Sequence, residues 1–160
     1  MFAKLLVLFI LAFALPAFAE EPACYQNEID PATRKLYRDE APYQADLEAL
    51  LASEPTRPGM YTLYRAYNLS KAETPNANAL KNDKRAHCYI GCRLANDISV
   101  EAAEYAAWYK EHRDLTDCQK ASRFEPQDIL ATQVGIRLGE QNVPHADKAF
   151  CQRTCRQSVR

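Results

Sequence analysis

The stretch KRAHCYIGCRLAND, residues 84–97, decides how we interpret the fold, because it places Cys88 and Cys92 four residues apart. A second pair with the same spacing, Cys151 and Cys155, lies near the carboxyl end of the chain. On a helix this spacing puts both thiols on one face, one turn apart. A bridge within one helix has poor geometry, so we expect the two pairs to join two helices.

The relative direction of these two helices stays open at the sequence level. Antiparallel helices would form Cys88–Cys155 and Cys92–Cys151, whereas parallel helices would form Cys88–Cys151 and Cys92–Cys155. Either arrangement leaves Cys24 to pair with Cys118. A zinc site is disfavoured, because zinc-binding cysteine pairs usually have two residues between them and exported thiols are normally oxidised. We therefore expect three disulfides, with no metal and no cofactor.

The first 19 residues have the features of a secretory signal peptide. Lys4 precedes an unbroken apolar run, residues 5–15, and Ala17-Phe18-Ala19 is a small-x-small cleavage signal. The apolar run is too short to span a bilayer comfortably. All six cysteines follow the predicted cut, as expected for a protein that folds in an oxidising compartment. We predict a single helical domain over residues 20–160 in a periplasmic or secreted protein.

Composition excludes two classes of partner. The formal net charge is −1 and no basic block stands out, so nucleic acid is not an expected partner. After signal cleavage, no segment is apolar for long enough to cross a membrane. We expect instead an envelope or secreted protein as the partner.

Helix signals dominate the rest of the chain, and strand-like alternation is absent, so we predict an all-α fold, a compact bundle of six or seven helices stapled by disulfides. The helices are predicted over residues 32–40 after Asp30-Pro31, from Pro42, over 60–72, over 82–96, after Ser99, over 126–139 and from Pro144. Residues 73–78 are predicted as a loop. The tyrosines at 61, 64 and 67 recur at helical spacing, and we interpret that stripe as packing.

His87 lies beside a stapled position, and Gly91 follows it one helical turn later. Small residues also recur at helical spacing on the two helices that follow, near Glu111 and near Asp128. If these faces meet, His87, Glu111 and Asp128 converge. Such a cluster could be catalytic, since burial and a carboxylate would tune the imidazole, or it could be a structural ion pair. One imidazole and two carboxylates could also hold a divalent metal ion.

The order and spacing of these residues resemble a motif of a known group of bacterial proteins. The pattern D-x-x-x-H-C-x-x-x-C-x-x-A from Asp83, then K-E-x-x-D from Lys110, then D-x-x-A-x-x-x-G-x-x-x-G from Asp128, covers residues 83–139. It resembles an uncharacterised bacterial R-H-C-x-x-x-C domain of RHS-associated and secreted proteins, and more loosely small envelope lipoproteins and VanZ-like proteins. It departs at Ala86, where that domain has arginine, and at Ala131-Thr132, where asparagines are expected. The resemblance implies that His87, Glu111 and Asp128 belong to one site or one buried network.

Two functions follow as hypotheses. The first is an exported protein that binds another protein, as an immunity or accessory factor for a secreted effector. The second is a cell-envelope hydrolase, acting on peptidoglycan or lipid, in which His87 works with Glu111 or Asp128. A third, weaker hypothesis is a structural protein whose tyrosine-rich helix docks a partner.

Overall fold

A computed structural model describes residues 24–118, 123–142 and 146–160. Six helices account for most of this part of the chain, so the predicted all-α bundle is confirmed. The helices are α1 (Glu40–Ala52), α2 (Met60–Asn78), α3 (Asp83–Asp97), α4 (Val100–Thr116), α5 (Pro126–Gln141) and α6 (Lys148–Ser158). The predicted signal peptide lies outside the described residues.

Local capping sets where three of these helices begin. The side chains of Asn82, Ser99 and Asp147 accept hydrogen bonds from the backbone N–H groups three residues later, at Arg85, Ala102 and Phe150. Such N-caps satisfy backbone donors that have no partner inside the helix. The predicted starts of α3 and α4 are therefore correct. The last helix begins at Lys148, and Pro144, where we predicted its start, lies outside the described residues.

The prediction of a helix over residues 32–40 is wrong. Ile29–Asp30 (β1) and Lys35–Leu36 (β2) instead pair as a short antiparallel hairpin. The Asp30 carboxylate accepts hydrogen bonds from the backbone N–H groups of Ala32 and Thr33, at 2.7 and 3.3 Å. An aspartate can open a turn as readily as a helix, and here Arg34, with φ of 58°, reverses the chain.

The prediction of a loop over residues 73–78 is also wrong, because α2 continues through Pro75 to Asn78. Tertiary contacts hold this last part of α2 in place. Ala77 is buried, the Tyr89 hydroxyl donates a hydrogen bond to Glu73, and Gln152 donates one to the Asn76 carbonyl. The sequence pattern of proline and asparagine gave no sign of these long-range partners.

Helix α3 is the centre of the bundle and packs against α2, α4, α5 and α6. Its closest approach is to α5, where a Cβ atom at Gly135 would collide with the carbonyl group of Cys88. The Gly91 position is similarly closed by the backbone of Thr132 on α5. The expectation that small-residue faces bring these two helices together is therefore confirmed.

Three disulfides tie the bundle, and they follow the antiparallel alternative. Cys88–Cys155 and Cys92–Cys151 join α3 to α6, with Cα–Cα distances of 5.8 and 5.9 Å. Cys24–Cys118 ties the amino-terminal segment to the end of α4. Three bridges of this kind indicate that the chain folds in an oxidising compartment. Across the described residues, no helix is both long enough and apolar enough to span a membrane.

Candidate functional site

His87 and Asp128 come together where α3 meets α5. His87 lies in the second turn of α3, and Asp128 lies in the first turn of α5. The close packing at Gly135 fixes the distance between the two helices. The imidazole Nε2 of His87 is 3.4 Å from Oδ2 of Asp128 and 3.7 Å from Oδ1 of Asp83, one helical turn before it. The convergence of His87 and Asp128 expected from the sequence is thus present in the structure.

Lys84 forms ion pairs with both of these carboxylates. Its ammonium group forms an ion pair with Asp128 and lies 3.3 Å from Oδ2 of Asp83. A third carboxylate, that of Glu125, lies 2.5 Å from the same Nζ atom. Burial alone would lower the pKa of Lys84, but the hydrogen bonds to Asp128 and Glu125 raise it on balance. Lys84 therefore stays charged beside the imidazole.

Glu111 is buried close by, but it has different partners. Its Oε2 accepts a hydrogen bond from the backbone N–H of Glu125 at 2.9 Å, which anchors the start of α5 to α4. Its other oxygen lies 3.5 Å from the ammonium group of Lys110, which also pairs with Asp114 at 2.5 Å. Within the described residues Glu111 thus contacts α5 and Lys110 rather than His87. The predicted three-residue cluster is therefore a His87–Asp128 pair with Glu111 supporting it from α4.

Burial shifts the pKa values of all three groups. Desolvation, and then the positive charge of Lys110, lowers the pKa of His87 to about 4. Desolvation raises the pKa of Glu111 to about 7, although Lys110 acts in the opposite direction. Desolvation also raises the pKa of Asp128 against the effect of its hydrogen bond with Lys84. Perturbed titratable groups concentrated in one place are typical of functional sites, although structural ion pairs also produce them.

His87 opens onto a cleft between α2, α3 and α4 with a volume of about 870 Å³. The imidazole retains 13% of its side-chain exposure, so water in the cleft can reach it. Leu63 on α2, Ile90 on α3 and Ala106 on α4 represent the apolar majority of the lining. Asp83 and Lys110 also line the cleft and form its polar end around His87, since Asp83 lies 3.7 Å from the imidazole and the charge of Lys110 lowers the imidazole pKa. An apolar cleft with a few converging polar groups is the usual form of a small-molecule site.

The structure adds three residues to those expected from the sequence: Asp83, Lys84 and Lys110. Asp83 precedes His87 by four residues and Lys84 precedes it by three, which is the spacing of neighbours on one helix face. Lys110 begins the K-E-x-x-D element, but helical spacing does not indicate that it acts on His87, because that effect depends on how α4 packs against α3. Helical spacing finds partners within one helix and misses partners on another.

Asp83, His87 and Asp128 are also the residues that could hold a metal ion, since one ligand atom from each lies within 4.8 Å of the others. One imidazole and two carboxylates form a plausible ligand set for a divalent cation. Two of the three groups, however, already share the ammonium group of Lys84. A bound cation would have to displace that lysine or compete with its charge. The ammonium group of Lys84 thus already provides a positive charge at the position that a metal ion would take.

The tyrosine stripe of α2 lies outside the core, so the interpretation of this stripe as packing is wrong. Tyr61, Tyr64 and Tyr67 are 75%, 65% and 64% exposed, and the neighbouring Met60 is 75% exposed. The buried face of α2 is carried by small residues such as Ala66 and Ala77. We call these four exposed side chains the tyrosine face.

No protein-family model, curated protein or solved structure matches this chain. The resemblance to the R-H-C-x-x-x-C domain therefore stays a prediction from the motif. The site has to be interpreted from its own geometry.

Proposed function

We propose that the cleft is an active site and that the protein is a cell-envelope hydrolase, acting on peptidoglycan or lipid, with His87 as its general base. The observation that supports this most is the position of His87, at the wall of a large cleft with the carboxylate of Asp128 behind it at 3.4 Å. A base reached by solvent and oriented by a buried carboxylate is the arrangement that hydrolytic sites use.

The low pKa of His87 keeps the imidazole neutral at pH 7, which is the form that accepts a proton. With Nε2 facing Asp128, the other ring nitrogen, Nδ1, is left to take a proton from water. That water attacks the carbonyl carbon of the substrate. Burial and the positive charge of Lys110 disfavour the imidazolium formed in this step, and the nearby carboxylates of Asp128 and Asp83 offset part of that cost.

Lys110 supplies the second element of the reaction. Its side chain is 48% exposed and lines the polar end of the cleft that holds His87. Its ammonium group pairs with Asp114 at 2.5 Å, and in this proposal it also stabilises negative charge that develops on the substrate oxygen in the transition state. Asp128 and Lys84 act as positioning residues, since they contact the imidazole and its carboxylate partners rather than the substrate.

Expression in a bacterial periplasm tests this function directly. We expect cells that produce the protein with a signal peptide to lose envelope integrity, and cells that produce His87→Gln to remain intact. His112→Gln is the matched control, because His112 stacks on Trp108 and is not among the residues that line the cleft. Equal lysis by His87→Gln and the natural protein would refute the proposal. It would also be refuted if cells stayed intact while they produced the natural protein at the same level as the variants.

The tyrosine face supports a second candidate function, the binding of another exported protein as an immunity or accessory factor. Monomeric proteins rarely leave several large aromatic side chains exposed along one helix, and tyrosine is enriched in binding hot spots. Capture from periplasmic extract tests this candidate. We expect Tyr61→Ser with Tyr64→Ser to lose a partner that Leu130→Ser, an exposed apolar position on α5, retains. Recovery of the natural protein alone would count against it.

A further inference from the structure

The walls of the cleft limit which substrates fit it. Although Ser70, Thr74 and Asn78 also line the cleft, it has an apolar stretch of small and aliphatic side chains that pack together, namely Ala66 on α2, Ile90 and Leu94 on α3, and Ala103 and Ala106 on α4. Side chains of this kind offer no hydrogen bonds to the hydroxyl and amide groups of a glycan or a peptide. Burying such polar groups without partners costs free energy, whereas burying an apolar chain is favourable.

Three tyrosines line the same cleft, and two of them are exposed. Tyr67 on α2 and Tyr109 on α4 line it while remaining 64% and 53% exposed. A tyrosine ring has an apolar body and a polar hydroxyl, so it suits the boundary between an apolar chain and a wetter head group. The apolar stretch, the tyrosines and the polar end thus match the parts of an amphiphile.

The charges that line the cleft balance. Three cationic residues and three acidic residues line the cleft: Arg57, Lys110, Arg113, Asp83, Asp114 and Asp117. Their formal charges cancel, so the cleft as a whole offers no net attraction to a strongly anionic or cationic head group. A neutral or zwitterionic head group is complementary to such a surface.

We infer that the substrate of this site is a carboxylic ester of an apolar acyl chain with a neutral or zwitterionic head group, bound with its chain in the apolar stretch. This inference rests on the proposed function and names its substrate class. Water adds to the ester carbonyl carbon while His87 takes one proton from it. The bond between the carbonyl carbon and the alkoxy oxygen then breaks, and the imidazolium returns the proton to that oxygen. The products are a carboxylic acid and an alcohol.

Two esters with the same leaving group test the inference. We would compare 4-nitrophenyl acetate with 4-nitrophenyl laurate, below the concentration at which laurate forms micelles. The expected kcat/KM for laurate exceeds that for acetate by at least about tenfold, because the longer chain is buried in the cleft. Equal values for the two esters would overturn the inference while leaving a hydrolase in place.

A pair of phenylalanine substitutions separates the cleft from the rest of the surface. Ala106→Phe fills the apolar stretch and is expected to lower the ratio of kcat/KM for laurate to kcat/KM for acetate by at least about tenfold. Ala49→Phe is the matched control on the exposed face of α1, and it should hydrolyse both esters normally. Circular dichroism verifies that both variants fold. Retention of laurate hydrolysis by Ala106→Phe would contradict the assigned position of the acyl chain.

A binding measurement keeps the inference testable if neither ester is hydrolysed. The probe is a pyrene-labelled alkyl glyceryl ether, which is neutral and has no ester bond to cleave. We expect it to bind the natural protein and His87→Gln equally, and Ala106→Phe at least about tenfold more weakly. Binding of this kind without hydrolysis would refute the general base and support the ligand class. Absence of binding to the natural protein would overturn the ligand class.

Discussion

At the scale of single residues, the neutral state of His87 depends on burial and on a positive charge from a different helix. Lys110 on α4 is the main charged group that lowers the pKa of His87, which lies at about 4. We therefore expect Lys110→Gln to raise the pKa of His87, and Lys35→Gln, at an exposed position on β2, to leave it unchanged. NMR titration of the imidazole C–H signals measures both. An unchanged His87 titration in Lys110→Gln would contradict this electrostatic coupling.

His87 also predicts how stability responds to acid. In the unfolded chain the imidazole takes a proton near its ordinary pKa of 6.5, whereas in the folded protein it resists protonation down to about 4. The unfolded state therefore binds more protons within this window, so the contribution of His87 to stability falls as the pH drops from 6.5 to 4. Urea unfolding at pH 7 and pH 4.5 should therefore show that the free energy of unfolding falls less on acidification in His87→Gln than in the natural protein.

Glu28 is the second residue whose charge state matters. It is 0% exposed, and neither of its carboxylate oxygens has a hydrogen-bond partner among the residues that the structure describes. Desolvation, with Asp117 and Asp114 nearby, raises its pKa from 4.5 to about 7. Since the folded state then binds the extra proton between these values, the stability that this group contributes is lost as the pH rises from 4.5 to 7.

We therefore expect Glu28→Gln to change the free energy of unfolding more favourably at pH 8 than at pH 5. The difference between the two changes should be on the order of 1–2 kcal/mol. An amide keeps the shape of the carboxylic acid and cannot ionise. Urea unfolding at both pH values gives the free energies, with Glu48→Gln on the exposed surface of α1 as the control. The same change in unfolding free energy at both pH values would show that Glu28 does not titrate in this range.

At the scale of elements, the contact between α3 and α5 holds the site together, and Gly135 is its tightest point. A Cβ atom there would collide with the carbonyl group of Cys88, which a rigid helix backbone cannot move aside. We expect Gly135→Ala to lower the free energy of unfolding by about 3 kcal/mol and to separate Asp128 from His87. Gly59→Ala is the control, because an added Cβ there has no atom within 4 Å. If Gly135→Ala left the free energy of unfolding unchanged, the two helices would have to be able to move apart freely.

The elements also show what the sequence can and cannot predict. Capping residues such as Asn82 and Ser99 act locally, so α3 and α4 were placed correctly from the sequence. Asp30 was ambiguous because its carboxylate can cap a helix or close a turn, and here it closes a turn. The exposure of Tyr64 could not be foreseen, because periodicity finds an aromatic stripe and does not say whether another helix covers it.

The candidate site shows the same difference between local patterns, which the sequence reveals, and tertiary packing, which it does not. From the sequence, His87, Glu111 and Asp128 converge only if the small-residue faces of their helices meet, and the structure brings His87 to Asp128 where α3 packs closely on α5. The role of Lys110 and the cleft itself depend on the relative positions of α2, α3 and α4, which local patterns do not encode. Residue spacing therefore indicates that the pair can form, whereas the packing of the helices determines which groups surround it.

At the scale of the whole molecule, disulfides hold the site-bearing helix in place. Cys88–Cys155 and Cys92–Cys151 close segments with sequence separations of 67 and 59 residues, so each restricts the unfolded chain strongly. We expect Cys92→Ser with Cys151→Ser to lower the free energy of unfolding by about 4 kcal/mol while the other bridges persist. Urea unfolding and peptide mapping by mass spectrometry measure the two effects. Free thiols at these positions in the natural protein would contradict the architecture.

The most direct test of the whole account is the pH dependence of ester hydrolysis by the purified protein and by His87→Gln. With the pKa of His87 at about 4, we predict that kcat/KM of the natural protein is constant from about pH 5 to 7 and falls as the pH approaches 4. The His87→Gln protein should fold normally and show no hydrolysis above the uncatalysed rate. Hydrolysis by His87→Gln with the same pH profile as the natural protein would contradict the claim that His87 in its cleft performs the reaction.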